Sequence, residues 1–129
     1  MSDGPILIVE DDVDIREILA EALEDKGFDV MTAANGLEAL SVLGAAPALP
    51  SVILLDLMMP VMDGYAFLEE RWKNIALRSI PIALFTAGRN VDGTRLGNGI
   101  AIVPKPINLA VLVDTLQKLR SSESVQYDH

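Results

Sequence analysis

Val52-Ile-Leu-Leu-Asp-Leu-Met-Met-Pro-Val-Met-Asp-Gly64 changes character twice within one short stretch. Val52 to Leu55 is an unbroken apolar run without polar alternation, the pattern of a parallel strand buried on both faces. A carboxylate, Asp56, ends that run. Asp63-Gly64 then has the form of a helix start, with Asp63 as N-cap and Gly64 permitting a close backbone approach.

Four more apolar runs read as strands: Ile6 to Val9, Phe28 to Ala33, Ile82 to Phe85 and Ile100 to Val103. Helical stripes lie between and after them. Ile15, Ile18, Leu19, Ala22 and Leu23 recur at helical spacing, with Arg16, Glu17, Glu21 and Glu24 on the other side and a stop near Gly27. Leu37, Leu40 and Leu43 follow Asn35, a suitable N-cap. Tyr65, Leu68, Trp72 and Ile75 form another stripe, which assigns Tyr65 and Trp72 to the core. Leu109, Leu112, Val113, Leu116 and Leu119 form the last. Gly88 to Gly99, rich in glycine, predicts a short or irregular helix. Strand and helix alternate throughout, implying βαβ units, right-handed crossovers and an open parallel sheet covered on both faces. Ligands of such sheets sit outside the carboxyl ends of the strands, where the strand order reverses.

The chain's 129 residues suit one domain, and half of them are hydrophobic, enough for a core of Ile, Leu, Val, Ala and Met. Residues 1–121 are expected to form that domain and 122–129 a polar, flexible tail. Ten Lys and Arg against nineteen Asp and Glu give a formal net charge of −9, which repels nucleic-acid backbone and anionic membrane surfaces. There is no cysteine, so disulfides and thiolate metal sites are excluded, as suits a reducing cytoplasm. No apolar run approaches the length needed to span a bilayer, and Met1 to Pro5 lacks the form of a signal peptide.

The first strand runs into Glu10-Asp11-Asp12 and the third into Asp56, so acids from neighbouring strands should converge on one crevice. Such like charges repel, and clustered carboxylate oxygens favour a hard divalent cation, with Mg²⁺ the best fit. Asp12 is better explained as an N-cap. The fourth strand carries Thr86 to the same rim and the fifth carries Lys105. A carboxylate nucleophile, a metal, a hydroxyl and an ammonium suit phosphoryl transfer, which depends on positioning and charge neutralisation.

Ile6 to Asp12, Leu55 to Gly64, Thr86-Ala87 and Lys105-Pro106 together resemble the motifs of response-regulator receiver domains, in the family's order and across nearly the whole chain. The resemblance implies a flavodoxin-like doubly wound sheet of five parallel strands, order 2-1-3-4-5, with five helices. It makes Asp56 the phosphoacceptor, with Thr86 and Lys105 contacting phosphoryl oxygens. Asp11, Asp56 and the Met58 carbonyl would ligate Mg²⁺, with Glu10 acting through water. It also implies a cis Lys105-Pro106 bond. The function implied is that of a two-component or phosphorelay switch and not an enzyme of turnover. Its donor would be a histidine kinase or histidine phosphotransfer protein and its output an unidentified protein partner.

One position departs from the family pattern: Ile102 stands where many receivers have the aromatic residue that moves with the threonine. Two competing classes are disfavoured. A haloacid-dehalogenase-like phosphatase would need an acid where Met58 stands, and a dinucleotide-binding turn would need glycines where Glu10-Asp11-Asp12 stands.

Overall fold

The computed structural model describes residues 4–86, 100–104 and 108–125. In order, these form β1 (Ile6–Val9), α1 (Val13–Asp25), β2 (Val30–Ala33), α2 (Gly36–Ala45), β3 (Val52–Asp56), α3 (Gly64–Lys73), β4 (Ile82–Thr86), β5 (Ile100–Pro104) and α4 (Leu109–Val125). All four strand pairings are parallel and the sheet order is β2-β1-β3-β4-β5. The chain leaves β1 for β2 on one side and enters β3 on the other, so the order reverses between β1 and β3. That is where their carboxyl ends open a crevice.

Strand residues alternate between two cores. Leu7, Val9, Ile53, Leu55 and Leu84 pack with Ala39 and Leu43 of α2 and Phe67 and Leu68 of α3. Ile6, Ile8, Val52, Leu54 and Phe85 pack with Leu19 and Leu23 of α1 and Leu112 and Leu116 of α4. The central strands are buried on both faces, which is why they carry no polar alternation. Each fully buried Leu or Ile contributes about 1.5–3 kcal/mol.

The helix starts follow the capping residues in the sequence. Asp12 Oδ1 accepts from the Asp14 and Ile15 amides at 2.9 and 3.1 Å, Asn35 Oδ1 from Glu38 at 2.8 Å, and Asp63 Oδ1 from Ala66 at 2.9 Å. Asn108 does the same for Val111 at 3.1 Å. Gly27, at φ +96°, ends α1 in the left-handed conformation that glycine adopts at low cost.

The described residues hold four helices, not the five expected. The segment assigned to the remaining helix, Gly88 to Gly99, lies outside the described residues. So do the Lys105-Pro106 bond and positions 126–129, while α4 extends to Val125, past the end of the apolar stripe.

Two helical faces need correction. In α3, the side turned inward is Gly64, Phe67, Leu68 and Arg71. Trp72 is half exposed, with the Arg78 guanidinium 5.0 Å from its ring centroid, and Ile75 is largely exposed. Tyr65 packs only partly against the core. In α1, Ile18 faces solvent while Leu19 and Leu23 carry the packing.

Candidate functional site

Glu10 and Asp11 follow directly from β1, and Asp56 is the last residue of β3. A carboxylate oxygen from each of the three lies within 4.8 Å of the others. Asp11 is exposed at the mouth, whereas Glu10 and Asp56 are only 2% and 3% exposed. The site is therefore buried on the strand side and open to solvent at one acid.

Three strand ends are brought together here. The β3–β4 register sets Asp56 opposite Phe85, next to Thr86, whose side chain is 4% exposed at the end of β4. Lys105, expected at the end of the fifth strand, lies outside the described residues. Pro104 ends β5 opposite Thr86. As β5 is an edge strand, its proline sits where a missing N–H is tolerated. Ile102, on the same strand, is half exposed.

The loop after β3 is built around Asp56. The Met58 amide donates to Asp56 Oδ1 at 3.2 Å, which holds the Met58 backbone beside the acid while its side chain stands in solvent. Gly64 brings α3 back against the strand end. Its N–H donates to Leu57 O at 2.8 Å, and a Cβ there would sit 2.8 Å from Leu57 Cα. The glycine is thus required by close approach.

Glu10 is held from several directions. Its amide donates to Ala33 O of β2 at 3.0 Å, its Oε2 accepts from the Asp12 amide at 2.9 Å, and its carbonyl accepts from Arg16 Nη1 at 2.9 Å. The helical stripe places Arg16 on the solvent face, whereas its side chain is half-buried against the Glu10 carbonyl. Its position four residues after an N-cap was the only sequence cue to this contact.

The donors are all hard oxygens, and two ligands on opposite sides of Mg²⁺ at about 2.1 Å are about 4.2 Å apart. A grouping within 4.8 Å needs only a small closure to meet that geometry. The residues fit such an ion.

Three carboxylates at the switch point of a doubly wound parallel sheet, in place of a glycine-rich cradle, define a class of α/β domain suited to a divalent cation and not to a dinucleotide. The family model of the response regulator receiver domain matches residues 6–117, and the chain belongs to that family. A transcriptional regulatory protein CpxR homolog of Haemophilus influenzae is 40% identical over 124 residues, covering 92% of this chain and 52% of its own length. The chain thus spans about half of that relative. The receiver domain of a signal transduction histidine kinase from Syntrophus aciditrophicus superposes with a TM-score of 0.82 at 34% identity, over 92% of this chain and 91% of that one. The receiver domain of a sensor histidine kinase from Pseudomonas aeruginosa, solved with a magnesium ion coordinated in its active-site cleft, has a TM-score of 0.81 at 26% identity and covers 93% of this chain and 99% of its own. No helix among the described residues is long and apolar enough to cross a membrane.

Proposed function

We propose that this chain accepts a phosphoryl group on Asp56 in a Mg²⁺-dependent reaction and that the resulting acyl phosphate shifts the domain between two conformational populations. The observation that carries this reading is the meeting of Glu10, Asp11 and Asp56 oxygens within 4.8 Å at the switch point of a receiver-family sheet. The magnesium ion in the Pseudomonas receiver supports the choice of metal.

Asp11, Asp56 and the Met58 carbonyl would hold the ion directly, and Glu10 would hold it through water. When bound, the ion neutralises charge on the phosphoryl oxygens and on the acids themselves. A carboxylate oxygen of Asp56 attacks phosphorus in line with the bond to the donor's histidine nitrogen. The new P–O bond forms as the P–N bond breaks, and its electron pair leaves on the imidazole. Thr86, already buried at the β4 end, donates its hydroxyl hydrogen to one phosphoryl oxygen, and Lys105 pairs with another.

The donor is a histidine kinase or a histidine phosphotransfer protein, which assigns the chain to the cytoplasm, and the output is a protein partner. A net charge of −9 argues against direct nucleic-acid contact by this domain and against binding to anionic membranes. Ile102 supplies no aromatic ring to follow Thr86, so the switch runs through Thr86 without that relay.

The test is incubation with acetyl phosphate and Mg²⁺, read by intact mass. Wild type should gain one phosphoryl group, and Asp56→Asn and EDTA-treated wild type should gain none. Labelling of Asp56→Asn to the wild-type level would place the chemistry elsewhere.

A further inference from the structure

We infer that Arg16 is a positioning residue for the acid cluster: its guanidinium fixes the turn from which Glu10 and Asp11 project, so that Mg²⁺ affinity depends on a side chain outside the ligand set. This rests on the reading of the site as a magnesium centre.

Arg16 lies in the first turn of α1, and long helical side chains lean toward the N-terminus of their own helix. Its guanidinium is thereby carried over the β1–α1 turn, where Nη1 donates to Glu10 O at 2.9 Å. The side chain is half-buried, while its neighbours Ile15 and Glu17 are exposed. A cation at a helix N-terminus opposes the macrodipole, so helix stability alone does not account for this conformation. The turn does account for it. Glu10 O is the last β1-side carbonyl before the chain departs, and the Arg16 amide donates to Asp12 O at 2.9 Å in the first helical bond of α1, so the guanidinium reaches back to the strand end from an anchored helix start. With the Asp12 amide on Glu10 Oε2 at 2.9 Å, the three bonds form one small network that orients both Glu10 and the chain leading through Asp11.

Charge and positioning predict opposite signs. Arg16 is a cation close to where a dication binds, so on Coulombic grounds its removal should tighten Mg²⁺ binding. If Arg16 positions the ligands, its removal should weaken binding, as loss of supporting hydrogen bonds does in other metal sites.

The test is calorimetric titration of the full chain with MgCl₂, comparing wild type, Arg16→Ala, Arg16→Met and Arg16→Gln, with melting in EDTA as a check on folding. Arg16→Ala and Arg16→Met should lower affinity by about tenfold. Arg16→Gln, neutral but still able to donate to the Glu10 carbonyl, should recover part of the loss. Unchanged or tighter binding in Ala and Met would overturn the inference, and if Ala folds poorly the Met and Gln pair carries the comparison. A second readout needs no metal. Amide exchange at Asp12 should accelerate in Arg16→Met while the β1 and β3 amides stay protected, and unaltered exchange at Asp12 would count against Arg16. A wild type without Mg²⁺ affinity would overturn the metal reading itself, and the exchange measurement would still decide whether Arg16 holds the turn.

Discussion

At the carboxyl edge of the sheet, Glu10 and Asp56 are buried beside Asp11, three like charges from two strands. At the opposite edge, Arg71 of α3 is 2% exposed and directs Nε and Nη2 at one acceptor, Ile80 O, at 3.2 and 2.7 Å. Burial lowers the Arg71 pKa from the usual guanidinium value, although an arginine remains charged in practice. Arg71 is matched by a peptide carbonyl just ahead of β4 and so ties down the α3–β4 connection. The acids concentrate charge of one sign, which a bound divalent cation would neutralise. Buried charge therefore does not by itself mark a functional site. Convergence of like charge from separate strands does.

If this contrast is right, the two edges should respond oppositely to loss of charge. Arg71→Ala should produce the largest stability effect, about 3 kcal/mol in urea unfolding, because it opens a cavity and leaves the Ile80 carbonyl without its donors. Mg²⁺ affinity of the folded variant should not change. A loss below about 1 kcal/mol would mean that the carbonyl finds water and that Arg71 is not a structural tie. Glu10→Gln should do the reverse. Mg²⁺ affinity should fall about tenfold by calorimetry, as for an outer-sphere partner, while metal-free stability holds or rises because one of three clustered charges is gone. A large stability loss without change in Mg²⁺ affinity would put Glu10 in the same structural category as Arg71.

The carboxyl edge and its acid cluster were legible in the sequence because parallel strands buried on both faces announce their ends: Val9 gives way to Glu10, Leu55 to Asp56 and Phe85 to Thr86, each at an abrupt change from apolar to polar. The caps Asp12, Asn35 and Asp63 were legible for a similarly local reason, since each satisfies an amide two or three residues ahead. The α3 face was not. Its inner side includes an arginine, which a pattern of apolar residues assigns to solvent, and the stripe was displaced by one residue toward Trp72. The partner that makes Arg71 tolerable inside is the carbonyl of Ile80, a contact made through the backbone and invisible to side-chain periodicity. Arg16 escaped for the same reason, its acceptor being the carbonyl of Glu10.

The smallest effect concerns where the molecule holds conformational strain. Val61 has φ +71°, and the Met62 N–H donates across it to Pro60 O at 2.8 Å, closing a three-residue turn of the strained hand. A β-branched residue in this region is a steric outlier costing about 1–2 kcal/mol. At 77% exposure, its side chain gains little packing in return. The turn sits in the loop between Asp56 and the Asp63 cap, and it directs Met62 O at the Gly36 amide of α2, 3.3 Å away. Val61→Gly removes the steric cost but gives the unfolded chain more freedom, so the net gain should be about 0.5–1 kcal/mol in urea unfolding. Mg²⁺ affinity should be unchanged if the loop keeps its path. A destabilised Val61→Gly would show that the turn stores no strain, and weakened Mg²⁺ binding would show that valine's restricted backbone holds Met58 against Asp56. The carboxyl edge would then owe part of its geometry to strain, whereas the Arg71 edge is held by hydrogen bonds and packing.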